Sequence, residues 1–594
     1  MADLESDSPA AGTSGATANL LGCVTNRYTT DAFQRLSKLQ QTDQLCDVTL
    51  KAGDVSIRVH KVVMAVFSDY FCTMFTCEFR ESKQDFIELH GVSGVGLKAM
   101  VSFAYSGGLL LDLDNVSDVL GAASHFQSEE AISLCASYLK RCMSTDNCID
   151  IFRLGELYSL DKVKDFATAF MLEEFEKFAM SEQYFKLTDS ELAQLLQSNC
   201  LKISSEYCLF ELVLRWIMYD SDDRKQFAVP LLSNVRFSLM SVNELIKQVG
   251  SFALINESKE CLQLVMSAKD YHLQPVMQPL LQSASTQVRS DQPCLVRIEE
   301  QRITAYSLNN EKTSILQDCP VKQYNPCVIV VNNFLYACGG KLGNYSSLAS
   351  STFQRYDPRF DNWMPLPPMS KPRKNFCLTY KNGYIYAIGG HDGDGHTMRS
   401  MDAFNISTNA WEKKNRMPER RQNHTAATCD EQDRIFVTGG KGINDSVSYK
   451  VFAYSPETDI WQELTSMPVC LENHGMYVTV DKIFVFGGKR SLHAHTLFVC
   501  DLTTGDWIQQ VESWQHPGPV RGLTFHDSTM YFIGSVESTD MEMRGVEQII
   551  VVKFPDIDKN ASQKKTFQTK RTVTIDLLNS ASFCTVMLPT SVFK

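Results

Sequence analysis

Four segments in the carboxyl-terminal half end an apolar strand in two glycines: FLYACGG at Gly339-Gly340, YIYAIGG at Gly389-Gly390, RIFVTGG at Gly439-Gly440 and KIFVFGG at Gly487-Gly488. The steps between them are 50, 50 and 48 residues. A tryptophan follows each pair, at Trp363, Trp411, Trp461 and Trp507. Seven residues before each tryptophan stand Tyr356, Phe404, Tyr454 and Cys500. Self-similarity at such a period demands units that bury their apolar faces against one another, because one repeat cannot bury its own.

The punctuation resembles the kelch repeat, in which each unit is one four-stranded blade of a β-propeller. Its chemistry is steric. Blades crowd together near a central channel, where paired glycines let backbones approach without Cβ clashes. The aromatic pair supplies apolar area between neighbouring blades. Clusters such as TYKNG and YDPRFDN supply the reversals. The flanks add two degenerate units. CLVRIEEQRITAYSL alternates like strands but carries Glu299-Glu300 in place of glycines, and MYFIGS keeps Gly534 beside Ser535. The first unit lacks an inner strand, which ASFCTVMLP (Ala581 to Pro589) is placed to supply. Six blades, closed by the carboxyl terminus, are expected.

The amino half differs. CDVTLKAGDVSIRVH (46–60) reads as a hairpin, with Val48 and Leu50, then Val55, Ile57 and Val59, alternating about Gly53-Asp54. Val62, Val66, Tyr70 and Met74, shadowed by Val63, Phe67, Phe71 and Phe75, predict a heavily buried helix or helix pair. From 146 to 275 the pattern is helical. Val163, Phe166, Ala167 and Phe170 share one face, as do Leu209, Leu212, Val213, Trp216 and Ile217. A Gln/Ser-rich polar stretch follows.

HKVVMAVFSDYFCTMF and AYSGGL resemble the BTB (POZ) fold, and AKDYHLQPVMQPLLQS resembles the close of a BACK domain. BTB, BACK and kelch modules in this order resemble the kelch-like family over most of the chain. The expected architecture is multidomain. It comprises a disordered tail over 1–27, an α/β BTB domain over 28–145 and an all-α BACK domain over 146–275. A linker over 276–293 then leads into an all-β six-bladed kelch propeller over 294–591.

The resemblance implies a non-enzymatic adaptor that recruits a protein substrate to a cullin-3 ubiquitin ligase, the BTB and first BACK helices holding cullin-3. It also implies a BTB homodimer, with the entry helix near Phe33–Leu36 at the two-fold interface. Actin or another cytoskeletal partner, held without ubiquitin transfer, is the alternative. Family members that bind cullin-3 carry a hydrophobic-x-Glu motif after the buried BTB helix, matched here by Phe79-Arg80-Glu81. His125-Phe126-Gln127 lies where a second contact helix is presented, and Phe126 is its candidate. Asp47 and His60 match polar positions of the fold and read as a structural pair.

In the propeller, Asn325, Asn375, Asn423 and Asn473 recur just before the inner strand, and Arg373 and Arg421 precede two of them by two positions. Family precedent places substrate-binding arginines in this segment. A ring of amides and guanidinium groups suits an acidic or turn-forming peptide. Asparagine also satisfies loop backbone readily, so the series has a structural reading too.

Enzymatic and cofactor readings find no support. HDGDGH (391–396) lacks the continuation of a calcium loop, His493-Ala-His495 lacks a third ligand, and no nucleotide or hydrolase motif occurs. A formal charge of −12 disfavours nucleic acid. No apolar run reaches membrane-spanning length, and the first twenty residues lack a secretory signal. A reducing, cytoplasmic or nuclear setting is expected, with the 19 cysteines unpaired.

Overall fold

The computed structural model describes residues 26–77, 80–310, 312–343, 348–429, 431–488, 497–511, 520–526, 529–535, 546–553, 569–576 and 582–593. Most of the expected tail, Phe79 and the His493/His495 pair lie outside them. The chain divides into two compact units, one ending at Lys186 and the other beginning at Leu187.

In the first unit, alternation over 48–59 makes the predicted hairpin. Strand β1 (Val48–Ala52) pairs antiparallel with β2 (Val55–Val59), Val48 opposite Val59, and parallel with β3 (Phe86–Glu88). Helix α1 (Asn26–Gln41) precedes them. The apolar run after the hairpin is a helix pair, α2 (Lys61–Phe67) and α3 (Asp69–Thr76), broken at Ser68. The Ser68 hydroxyl accepts from the N–H of Phe71 and donates to the Phe126 carbonyl at 2.5 Å, so the break is itself a tie into the core. Helices α4 (Gly94–Ser106), α5 (Val116–His125) and α6 (Glu129–Arg141) complete the layer over the sheet. Leu50, Phe71, Leu97, Met100, Leu120, Phe126 and Leu139 form its core.

Burial corrects one expectation here. Val63 and Phe71 are inside, but Val62 and Val66 are 66 % and 74 % exposed. Two staggered helices cannot turn both stripes of an eight-residue apolar series toward one core. Helices α7 (Cys148–Leu157), α8 (Asp161–Glu173) and α9 (Phe175–Met180) follow, with Val163 and Ala167 buried and Phe166 partly exposed.

The second unit opens with helices, among them Glu206–Tyr219, which buries Leu209, Leu212, Val213, Trp216 and Ile217 as its periodicity requires. The polar stretch expected as a linker is tied down at its end. The buried Arg289 guanidinium donates to the buried Glu206 carboxylate at 2.7 Å and to the carbonyls of Ser198 and Asn234. Arg236 donates to the Gln287 carbonyl at 2.7 Å, and blade 1 then begins at Asp291.

Six four-stranded sheets follow. Blades 2 to 6 each use four consecutive strands. Blade 1 takes its innermost strand from Ser582–Pro589, which pairs antiparallel with Asp291–Glu299, as the missing strand in the first repeat foretold. The innermost strands of the six blades neighbour one another in a closed ring. Closure leaves no inner edge to seek another chain.

Each tryptophan stands opposite its aromatic partner across two strands: Tyr356 and Trp363, Phe404 and Trp411, Tyr454 and Trp461, with ring centroids 5.2, 5.4 and 5.0 Å apart. Cys500 faces Trp507 in the same register. Each of these four indole N–H groups also donates to the preceding blade, at the carbonyls of Gln317, Pro367, Asn415 and Thr465, at 2.8 to 3.1 Å. The repeat therefore carries a polar staple together with its apolar one. In blades 2 and 4 the tyrosine hydroxyl adds a second, donating to Asp361 and Asp459 at 2.8 and 2.7 Å.

Candidate functional sites

In the first unit, α3 and the turn after α5 enclose a cavity of about 360 Å³ lined by Asp69, Tyr70, Thr73, Met74, Glu81 and Gln127. Glu81 lies in a short helical turn (Arg80–Lys83) that comes after α3 in sequence. Burial, and then the Glu81 carboxylate, push the Tyr70 phenol upward. The cleft thus offers a carboxylate and a phenol beside the Met74 side chain, a surface suited to an apolar anchor with polar trim.

Phe126 does not belong to this surface. It is wholly buried, its ring 4.8 Å from Phe71 and 5.7 Å from Tyr70. The residue that reaches the cleft is Gln127, exposed and turned outward by a left-handed backbone (φ 55°) where α5 ends. The loop that the sequence singles out borders the cleft through Gln127 and not through Phe126; an aromatic flanked by polar residues at a helix end is the signal for a core anchor.

Asp47 and His60 are each satisfied separately. Asp47 accepts from the Lys61 N–H at 2.7 Å, and the His60 ring bonds the Tyr105 hydroxyl at 2.7 Å and the Gln44 carbonyl at 3.0 Å. A second cleft of about 820 Å³ runs between α1, α2 and α4, with Phe33, Val66 and Phe67 on its walls.

At one end of the propeller channel, Asn325, Asn375, Asn423 and Asn473 all adopt left-handed backbone, with φ between 51° and 55°. Asparagine tolerates that geometry better than other side chains bearing a Cβ. Their backbones link from blade to blade: the N–H of Asn423 donates to the Asn375 carbonyl at 2.9 Å, and that of Asn473 to the Asn423 carbonyl at 3.0 Å. The side-chain amides reach neighbouring blades, Asn375 donating to Gln422 and Asn423 to Glu472, both at 3.2 Å. The structural reading of the series therefore holds, and the amides still border the mouth, Asn375 being exposed.

The arginines are placed otherwise. Arg373 and Arg421 are 0 % exposed. Arg373 donates to the carbonyls of Gly389 and Ser400 and, at 2.9 Å, to the Asp402 carboxylate. Arg421 repeats the pattern on the carbonyls of Gly439 and Lys450 and on Glu419. Each guanidinium pins its own blade's second and third strands, which corrects the expectation that it lines the binding face. Gln323 and Leu471 occupy the same register and are equally buried, Gln323 bonding the Thr352 carbonyl. A leucine in the series was the available sign that this register faces inward.

The residues that do stand at the rim adjoin these series. Isolated backbone bridges join Tyr324 to Lys341, Lys374 to His391 and Gln422 to Lys441, extending the inner strand pair of blades 2, 3 and 4 toward the mouth. Among the described residues there is no cluster of histidine, cysteine, aspartate or glutamate fit for a metal ion, no helix long and apolar enough to cross a membrane, and every cysteine is free.

Comparison with known proteins agrees with this geometry. Residues 36–143 match the BTB/POZ domain, 148–250 the BACK domain (BTB And C-terminal Kelch), and 325–535 the KLHDC2/KLHL20/DRC7 Kelch-repeats domain. The chain is 30 % identical to Kelch-like protein 26 of Danio rerio over 90 % of both chains. It is 33 % identical to Kelch-like protein 31 of Homo sapiens, over 65 % of this chain and 63 % of that one, and 34 % identical to Kelch-like protein 13 of Bos taurus, over 62 % and 58 %.

Proposed function

Because the chain belongs to the kelch-like family, joining BTB, BACK and kelch modules, we propose that it is the substrate-recognition subunit of a cullin-3 ubiquitin ligase. The observation that carries the reading is the cleft beside Glu81, the glutamate of the hydrophobic-x-Glu motif, which opens on Tyr70, Met74 and Gln127. A groove of this size takes one apolar side chain of a partner helix, while Phe79, two residues before Glu81, is the anchor offered in return. The propeller mouth, ringed by Asn325, Asn375, Asn423 and Asn473, holds the substrate. Convergent amides around a channel grip an extended or turned peptide backbone from several sides, whatever its side chains.

Affinity purification of the full chain, with and without a neddylation inhibitor, tests both halves. Phe79→Ala with Glu81→Ala should abolish recovery of cullin-3 and leave captured proteins unchanged. Asn375→Gly with Asn423→Gly keeps the left-handed backbone and removes two amides; it should lose those proteins and keep cullin-3. Recovery of filamentous actin, without cullin-3, by the unaltered chain would favour the cytoskeletal alternative.

A further inference from the structure

In blades 3 and 4 the aromatic that faces the tryptophan also packs on the blade before its own. Phe404 lies 4.9 Å from Phe353 of blade 2, and Tyr454 lies 6.0 Å from Tyr386 of blade 3. Blade 5 breaks the series. Cys500 takes the position, and the same apolar cluster holds Phe436 of blade 4, which precedes its first glycine by three residues as Tyr386 does. A thiol fills far less space than a ring, and the surroundings of such a vacancy relax into it only in part.

A second loss accompanies the first. Asp361 and Asp459, which receive the tyrosine hydroxyls of blades 2 and 4, also accept the backbone N–H of Gln317 and Asn415 from the preceding blade, at 2.9 and 2.8 Å. Gly505 occupies that position in blade 5 and offers no carboxylate to Thr465, which it faces. The bond from the Trp507 indole to the Thr465 carbonyl remains.

A groove of about 750 Å³ opens at this seam. Phe436 and Cys500 lie on its lining, with Asp433, Glu457 and Glu463 set against Arg434. Lys450, which meets Glu463 at 3.2 Å, is shared with Glu419, and Asp433 accepts from the Asn382 amide at 2.9 Å. The turns that form the groove join first to second and third to fourth strands, so it opens at the end of the blades opposite the asparagine mouth.

We infer that the seam between blades 4 and 5 is a docking site for a partner protein, which inserts an aromatic side chain flanked by lysine or arginine. The incoming ring lies beside Phe436, in the place where blade 4 holds its own Tyr454 against Tyr386, and an aromatic seated in such a pocket is the usual anchor of an interface. The basic neighbours answer the carboxylates of the walls. Those carboxylates come from two turns and a strand of blade 4, so successive basic residues of a chain meet them where one small cation does not. The site is separate from whatever the mouth holds.

The test is a differential selection of random twelve-residue peptides displayed on phage, against the immobilised full chain and against its Cys500→Tyr variant, which restores the ring of the repeat. Peptides recovered by the unaltered chain alone should carry Tyr, Phe or Trp with Lys or Arg close beside it. Cys500→Tyr should bind them about twentyfold more weakly, with a melting midpoint no lower than that of the unaltered chain. Cys500→Ala, which leaves the groove open, should hold them within about twofold. Glu457→Lys with Glu463→Lys, both on exposed side chains, should weaken them about tenfold. Should the tyrosine variant melt early, the same selection against the charge-reversed variant decides. Recovery of no such peptides, of acidic ones, of ones without an aromatic, or equal binding by the variants would each overturn the inference.

Discussion

His474 fills the space that a β-carbon on Gly439, one blade earlier, would need: such a Cβ would lie 2.6 Å from the imidazole Cε1. Phe376 stands against Gly339, and His424 against Gly389, in the same way, each at 2.7 Å. The first glycine of these three pairs thus receives a ring from the next blade, and its absent side chain is the socket.

Gly439→Ala should therefore cost more than an ordinary glycine substitution. The new methyl meets both the ring and the Leu471 carbonyl, at a backbone φ of +57°. A loss of about 3 kcal/mol or more follows from overpacking together with left-handed strain. Gly383→Ala, with φ +81° and open space around it, should cost about 1 kcal/mol. Denaturation followed by tryptophan fluorescence suits the comparison, since five of the six tryptophans lie beyond residue 360. Equal losses would refute the socket.

Stability should fall in acid through two of these rings. Burial pushes the imidazoles of His424 and His474 down from 6.5 to about 3, with the Arg421 charge adding to it. Both groups are neutral in the fold and bind protons more readily when unfolded. Their contribution is complete above about pH 6.5 and declines as the pH falls from there toward 3. His424→Phe, which copies Phe376 of blade 3, should flatten the dependence of the melting midpoint between pH 6.5 and 4.5. A slope identical to that of the unaltered chain would assign the acid sensitivity elsewhere.

Arg373 should behave as a structural residue. Truncation to alanine leaves the Asp402 carboxylate, 4 % exposed, without its guanidinium, and removes donors from two strand-end carbonyls. Breaking a buried pair from one side costs about 3 to 5 kcal/mol. The variant should unfold at markedly lower denaturant. An unchanged midpoint with loss of captured proteins would return the arginine to the binding face.

Val62 and Val66 should hold two copies together. They lie one turn apart on the outer face of α2, beside the cleft that Phe33 of α1 lines, and burial of such a face in a two-fold contact is the simplest use of it. Sedimentation of the full chain should give about twice its 67.0 kDa mass. Val62→Glu with Val66→Glu should halve that value without lowering the melting midpoint, because neither side chain belongs to the monomer core. A dimer that survives the pair of charges would place the interface on another surface.

The repeat made most of the architecture legible before any coordinates. Strand alternation is local, the spacing of glycine pairs and tryptophans counts the blades, and an apolar terminal segment matched a repeat that lacked one strand. The family match carried the helical half in the same way, since helical periodicity reports which residues share a face. Sequence alone left open where those faces point once elements pack. Arg373 and Asn375 are two residues apart, and both are candidates on sequence. One sinks into its blade because two strand-end carbonyls and Asp402 receive it, while the other stays at the mouth because its left-handed backbone turns the chain there. Phe126 and Gln127 part in the same manner at the end of α5, as do Val63 and Val62 on α2. Gly340 and Arg373 are 33 positions apart in sequence, and only the bond between them, formed from one blade to the next, brings them together.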